Sequence, residues 1–269
     1  MRSGAKFEMM SKKLKYEVAP EFVELESWIS QLPNEFSQSG ETIFKSRNEV
    51  KVFTVGDFQL NVKAFKIPNL INRFVYVYFR GSKAARSYRY ARKFLSLGIA
   101  TPMAIGYVDC IEGGLLHESY YISIHYKNEF TLREVLNYQV SDHDAILRQW
   151  VRFTYENLHL NNIFHLDYSP GNTLICRKND GFDIQIVDLN RMRFGTVDFN
   201  RGLFNFRQLD TDRPTLELLA AEYASLCHKD AGNAMKILID FDRKNKESRN
   251  RHIKIKKLIG SIFRFGRVA

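Results

Sequence analysis

The chain has 269 residues, 45% of them hydrophobic, and a formal net charge of +10. That supports the core of one large domain or two small lobes, and the excess of cations calls for an anionic partner: nucleotide, nucleic acid, phosphorylated glycolipid or anionic membrane. No run of 18 apolar residues exists, which excludes a spanning helix of the ordinary kind; the basic start MRSGAKFEMMSKK lacks the apolar stretch of a secretory signal; and Cys110, Cys176 and Cys227, odd in number and without metal-site spacing, read as reduced thiols of a cytoplasmic protein.

In chain order, residues 1–20 read as a loose leader ending at Pro20, and 21–30 as a short helix with Phe22, Leu25 and Ile29 on one side. A strand is expected around Thr42–Lys45 and another from Val50. Two β-rich runs flank Gly56-Asp57, which predicts a tight hairpin. In its second arm Phe58, Leu60, Val62 and Ala64 share one face, and Lys63 lies on the polar face, able to point into a cleft. Residues 82–97 predict a basic helix ending at Gly98, and no Asp or Glu occurs from 71 to 102. Strands follow at 104–109 and 119–126, with a Gly113-Gly114 turn between them. Thr131 with Glu134 three residues later forms a capping box opening a short helix. Residues 142–160 predict a long helix, and everything beyond about 214 is expected to be helical.

The texture changes at HLDYSPGN, residues 165–172, where Pro170 and Gly171 impose a loop. Short strands at 173–177 and 182–187 flank an Asn179-Asp180-Gly181 turn and deliver Asp188. Phosphoryl transfer needs a held Mg-nucleotide, an aligned acceptor hydroxyl and compensation of developing negative charge. Magnesium takes carboxylate and amide oxygens together with phosphate. Asp167 can orient the hydroxyl and take its proton, Asn172 and Asp188 can bind magnesium, and His165 can brace the loop. Asp and Asn are also common in loops as turn formers; the spacing H-x-D-x-x-x-x-N followed by strand, turn, strand and Asp is the more specific signal.

HLDYSPGN and the Asp of VDLN resemble the catalytic loop and metal-binding Asp of the protein-kinase-like superfamily. VKAF, with Lys63, resembles the strand lysine that holds nucleotide phosphates. Within the superfamily the chain resembles the lipopolysaccharide kinase family, the Kdo/WaaP group, in part through KFLSLGIATPMAIGY, residues 93–107. The resemblance covers roughly residues 40–230. It implies an α+β, two-lobed protein-kinase-like fold: a small β-rich lobe over 1–126 and a mainly helical lobe over 127–269. It implies ATP and Mg2+ as cofactors, with Lys63 on phosphate, Asp167 as base, His165 beside it, and Asn172 and Asp188 on the metal. Residues 119–126 become the hinge that bonds adenine, and Lys66 a reserve for Lys63. The implied activity is phosphate transfer from ATP to a Kdo or heptose hydroxyl of the lipopolysaccharide core, a glycolipid acceptor, at the cytoplasmic face of the inner membrane.

Ser169 stands where protein kinases usually have lysine, which suits a small-molecule acceptor. The Gly-rich loop is absent, since 40–48 holds only Gly40, so phosphate cover falls to those residues themselves. The helix glutamate that pairs with the strand lysine is also missing, with Glu49 as a substitute. An acceptor that is a protein or another small molecule, and an inactive pseudokinase, therefore stay open as alternatives. Residues 243–267 carry ten Lys or Arg and one acid, Glu247; Ile255, Leu258, Ile259, Ile262 and Phe263 would give that segment an apolar stripe for an anionic membrane surface, or it is a solvated or packed final helix. The basic face of 82–93, with Lys83, Arg86, Arg89, Arg92 and Lys93, offers a second patch for acceptor phosphates, or equally a solvated helix face. No stacking or recognition-helix motif points to nucleic acid.

Overall fold

Alternating apolar residues build a six-stranded antiparallel sheet, ordered β1-β5-β6-β4-β3-β2. Its strands are β1 (Lys12–Val18), β2 (Glu41–Lys45), β3 (Glu49–Val55), β4 (Phe58–Ala64), β5 (Ala104–Glu112) and β6 (Leu115–Ile124). The computed structural model describes residues 12–265, with side chains through Arg251 and at Lys254 and Ile255. It divides into two units: Met1–Lys127 with Ile186–Asn190, and Asn128–Gln185 with Arg191–Ala269.

In the first unit, helix α1 (Glu26–Glu35) lies on one face of the sheet. Its Ile29 and Leu32 join Leu25 and Phe36 against Phe53, Leu60, Val62, Val108, Tyr120 and Ile122. Because strand side chains alternate, the neighbours of these residues look the other way. Tyr107 meets Tyr88 of α3 (Lys83–Ser96), ring centroids 5.8 Å apart, and Lys63 shares that opposite face. The expected β3–β4 hairpin is present, with Val55 paired to Phe58. Ser82 caps α3 by accepting from Ala85 N. Lys51 is buried and donates to Phe36 O at 2.7 Å and Ser39 O at 3.0 Å, satisfying carbonyls where α1 ends.

Two elements differ from the sequence reading, and a third segment carried none. Residues 12–18 are not leader but the edge strand β1, in register with β5 from Lys12↔Glu112 to Val18↔Gly106; only one of its neighbours is a strand, so its lysines remain in water and the alternation is masked. Residues 1–11 of the expected leader lie outside the described residues. The helix expected at 21–30 begins as a 3-10 turn, Pro20–Leu25, and runs on as α1 to Glu35. Between β4 and α3 lie a short helix, α2 (Leu70–Val75), and a π-helical turn, Tyr76–Arg80.

The second unit opens with β7 (Phe130–Thr131) and α4 (Leu132–Leu136), whose Thr131–Glu134 capping box forms as expected. Helix α5 (His143–Phe153) continues as a π-helical turn to His159. Strands β8 (Ile163–His165) and β11 (Met192–Phe194) pair as a two-stranded sheet, and β7, β9 (Thr173–Lys178) and β10 (Gly181–Ile186) form a three-stranded one. Helices α6 (Phe199–Asn205), α7 (Arg213–Leu226) and α8 (Ala231–Phe265) complete it. The core gathers Trp150, Tyr168, Phe206 and Tyr223. Gly202 is required where it stands, since a Cβ there would collide with the Tyr223 hydroxyl. The apolar stripe expected from Leu258 to Phe263 has side chains outside the described residues; Ile255 is exposed.

Candidate active site

Lys63 emerges from β4 on the face opposite the α1 core, as its strand parity dictates. Its ammonium pairs with Asp188 Oδ1 at 2.8 Å and lies 5.3 Å from the centre of the Phe65 ring. Asp188 reaches it because Ile186 joins the first unit: Ile186 N donates to Ala100 O at 3.2 Å, and the Thr101 hydroxyl donates to Ile186 O at 2.8 Å. Asp188 has φ +62°, a left-handed conformation that Asp tolerates better than most residues. The Asn190 amide donates to Asp188 Oδ1 and turns that oxygen into a shared acceptor.

The glutamate that Lys63 lacks is not supplied by Glu49. Glu49 pairs with Lys45 at 3.1 Å across the β2–β3 turn and accepts from the Thr42 hydroxyl. Lys66 lies past the end of β4, exposed, its backbone N–H donating to Asn48. In place of a helix glutamate, α3 carries a buried cation. Arg86 donates from Nε to Asn190 O at 3.2 Å and from Nη1 to Gly81 O at 2.7 Å. Burial lowers its pKa, with the neighbouring Arg80 adding to the effect. The order Arg86, Asn190, Asp188, Lys63 is thus one hydrogen-bonded series. It is a lysine–aspartate pair held from behind by arginine.

The loop after β8 is built in the second unit. Asp167 N–H donates to His165 Nδ1 at 3.1 Å, so this ring nitrogen is the unprotonated one. The Asn172 amide donates to Asp167 O at 2.8 Å, and Asn172 N–H to Ser169 O at 2.9 Å. Thus the residues five apart in HLDYSPGN close one turn. The Asn172 nitrogen is engaged, and its oxygen is the atom suited to a metal. Asp167 Oδ2 pairs with Arg191 at 3.1 Å. Arg207 donates to Leu166 O at 3.3 Å beside it; burial lowers the Arg207 pKa, and the Asp167 carboxylate opposes that.

His165 is fully buried and stacks on Tyr168, whose hydroxyl bonds the Thr154 hydroxyl at 2.9 Å. Asn205 donates to His165 O at 2.7 Å and accepts from His159 Nε2 at 3.0 Å, while His159 Nδ1 meets the Tyr223 hydroxyl at 2.8 Å. Helices α6 and α7 therefore hold the strand end that presents Asp167. Burial keeps His159 neutral, its pKa pushed down to about 4.

The expected residues fall into two sets: Lys63 with Asp188, and His165 with Asp167 and Asn172. Arg191, Arg207 and the His159–Asn205 pair were not anticipated, and Arg86, expected on the basic face of 82–93, is instead buried. Only Arg191, three residues after Asp188, carried a local hint in its position. Among the described residues, no three His, Cys, Asp or Glu side chains gather as a metal site. Asp188 in the first unit and Asn172 in the second each carry an oxygen donor of the hard kind that magnesium takes.

No family model matches the chain, and no curated protein does. Among solved structures, a WaaP in complex with acyl carrier protein is similar, at 15% identity and a TM-score of 0.55, over 87% of this chain and 98% of that one. The fold is protein-kinase-like. A Rio2 kinase complex with ADP, Mg2+ and phosphoaspartate from Chaetomium thermophilum aligns at 12% identity, TM-score 0.48, over 84% of this chain and 77% of that one. WbdD bound to a kinase inhibitor aligns at 12% identity, TM-score 0.45, over 78% of this chain and 46% of that one. The β-rich N-terminal sheet and mainly helical C-terminal region agree with the α+β architecture expected from sequence.

Proposed function

We propose that the protein is an ATP- and magnesium-dependent phosphotransferase acting on a hydroxyl of an anionic glycolipid, a Kdo or heptose sugar of lipopolysaccharide core type. The observation that carries the reading is the Lys63–Asp188 pair on a kinase-type fold, 2.8 Å apart and backed by Asn190 and Arg86. Bound Mg-ATP supplies the transferable phosphoryl group and the metal's charge. Lys63 holds phosphate oxygens, and Asp188 and Asn172 offer the metal its protein oxygens. Asp167 accepts the hydroxyl proton and aligns the attack. Arg191 fixes the direction of the Asp167 carboxylate and brings the positive charge that Ser169 cannot. His165 acts through the loop, not on substrate. The cytoplasmic side of a membrane suits such an acceptor, and the basic composition of residues 243–267 suits anionic lipid; among the described residues no helix is long and apolar enough to cross a bilayer.

The test is transfer of labelled phosphate from ATP to Kdo-bearing lipid A precursors, intact core and a generic protein. Asp167→Ala should cut transfer roughly 10²–10⁴-fold and leave Mg-ATP binding intact; Asp188→Ala should lose both. Equal rates for wild type and Asp167→Ala would remove Asp167 as base. The arginine in place of the helix glutamate favours a second reading, a nucleotide-binding protein without catalysis. That reading gains if wild type binds Mg-ATP and transfers to no acceptor.

A further inference from the structure

Large apolar side chains belong in cores, and a contiguous group of them in water marks a surface built to meet something. The segment between β4 and α3 carries such a group. Ile71 is 76% exposed and Phe79 77%, with Leu70, Phe74, Tyr78 and Ile67 also exposed. The aromatics touch one another: Phe74 lies 4.7 Å from Tyr78 and 5.9 Å from Phe79, centroid to centroid. The segment is anchored. Asn69 caps α2 by accepting from Asn72 N at 3.0 Å, and Arg73 donates to Leu116 O of β6 at 2.8 Å. A fixed backbone thus presents these side chains outward.

Charge identifies the occupant. Between Asp57 and Asp109 the sequence has no acidic residue. Lys66 and Arg80, both exposed, flank the apolar group in sequence. Aromatic and aliphatic side chains projecting outward with cations at their margin match the boundary between anionic headgroups and acyl chains. We propose that residues 67–79 are a membrane-insertion surface, with Ile71 and Phe79 entering the acyl boundary of an anionic bilayer and Lys66 and Arg80 meeting its headgroups. This segment is distinct in sequence from the basic residues 243–267 and does not depend on the catalytic reading.

The experiment is sedimentation of the full chain with vesicles of phosphatidylcholine alone or mixed with phosphatidylglycerol. Wild type should partition to the mixed vesicles and weakly to the neutral ones. The double variant Ile71→Ser, Phe79→Ser should lose about tenfold or more in partitioning, since each side chain buries a full apolar payload on insertion. Residual binding by the double variant measures the other basic surfaces. Both positions are exposed, so the melting profile should stay unchanged. The single variant Phe79→Trp gives a direct readout: its added emission should shift to the blue with mixed vesicles and be quenched by brominated acyl chains. Wild type that ignores anionic vesicles, a double variant that binds like wild type, or added indole emission indifferent to lipid would each overturn the proposal. So would a concentration-dependent dimer dissolved by the double variant, which would give the patch to a second copy.

Discussion

Replacing Arg86 by methionine removes the guanidinium while keeping most of the stem. Two carbonyls then lose a charged donor, Asn190 O at 3.2 Å and Gly81 O at 2.7 Å. A buried acceptor left unsatisfied costs about 1–3 kcal/mol. The buried Asn190 O and the part-buried Gly81 O, less the relief of no longer burying a cation, give a net loss of about 3 kcal/mol. For a chain of this size that lowers the melting temperature by roughly 6–12 °C. Any buried arginine could produce such a loss. The specific consequence lies at Asp188. With Asn190 released, the Asp188 carboxylate is no longer fixed toward Lys63, and Mg-ATP affinity should fall about tenfold, a difference of about 1.4 kcal/mol. Arg86→Lys keeps the charge and one donor direction and should recover part of both effects. Calorimetric titration with Mg-ATP, at a temperature where circular dichroism shows every variant folded, separates the two quantities. Arg86→Met that melts early yet binds Mg-ATP with wild-type affinity would confine Arg86 to a structural part and refute the positioning series.

Two buried groups give opposite dependences of stability on pH. Burial raises the Asp109 pKa from 3.8 to about 6, against the Ser82 hydrogen bond and the charges of Lys15, Arg89 and Arg86 that lower it. Its protonated form is favoured in the fold, so its contribution is greatest below about 4 and is lost as pH rises through 6. Asp109→Asn should therefore stabilise the protein by about 3 kcal/mol above pH 6 and by little below pH 4, seen as a narrowing gap in urea unfolding curves. His159 has the reverse sign: its pKa falls from 6.5 to about 4, so its contribution is present above 6.5 and is lost as pH falls toward 4. Asp109→Asn should leave that acid leg intact; a gap that does not change with pH would refute the Asp109 assignment. Removal of residues 243–269 should lower binding to anionic vesicles mainly at low salt. The effect should be modest, because Arg243, Lys244, Lys246 and Arg249 already pair with Asp240, Asp242, Glu247 and Asp210; unchanged binding would return the segment to a plain terminal helix.

Local physics was legible in the sequence. Period-two alternation separated Lys63 from the Leu60–Val62 face, turn chemistry located the hairpin at Gly56-Asp57, and the capping box placed α4. Pro170 and Gly171 marked HLDYSPGN as a loop, though not its closure by the Asn172 amide on Asp167 O. What stayed hidden depends on partners far away in sequence. Arg86 and Asn190 are 104 residues apart, and His159 finds Asn205 and Tyr223 at separations of 46 and 64. No periodicity encodes such pairings. β1 was missed for another reason: an edge strand rich in lysine has the composition of a solvated tail. The 67–79 segment gave no signal because its apolar residues do not follow a buried face.

The crossing of Ile186–Asn190 into the first unit bears on how the molecule could be dissected. A fragment ending at Lys127 would carry Lys63 and Arg86 but not Asp188 or Asn190, and Ala100 O and the Thr101 hydroxyl would lose their partner at Ile186. The lysine and its carboxylate are neighbours in space and strangers in the gene order. The β-rich half is therefore not a transplantable cassette: any recombination that keeps it whole must also carry the five-residue stitch that arrives from beyond the 165–172 loop.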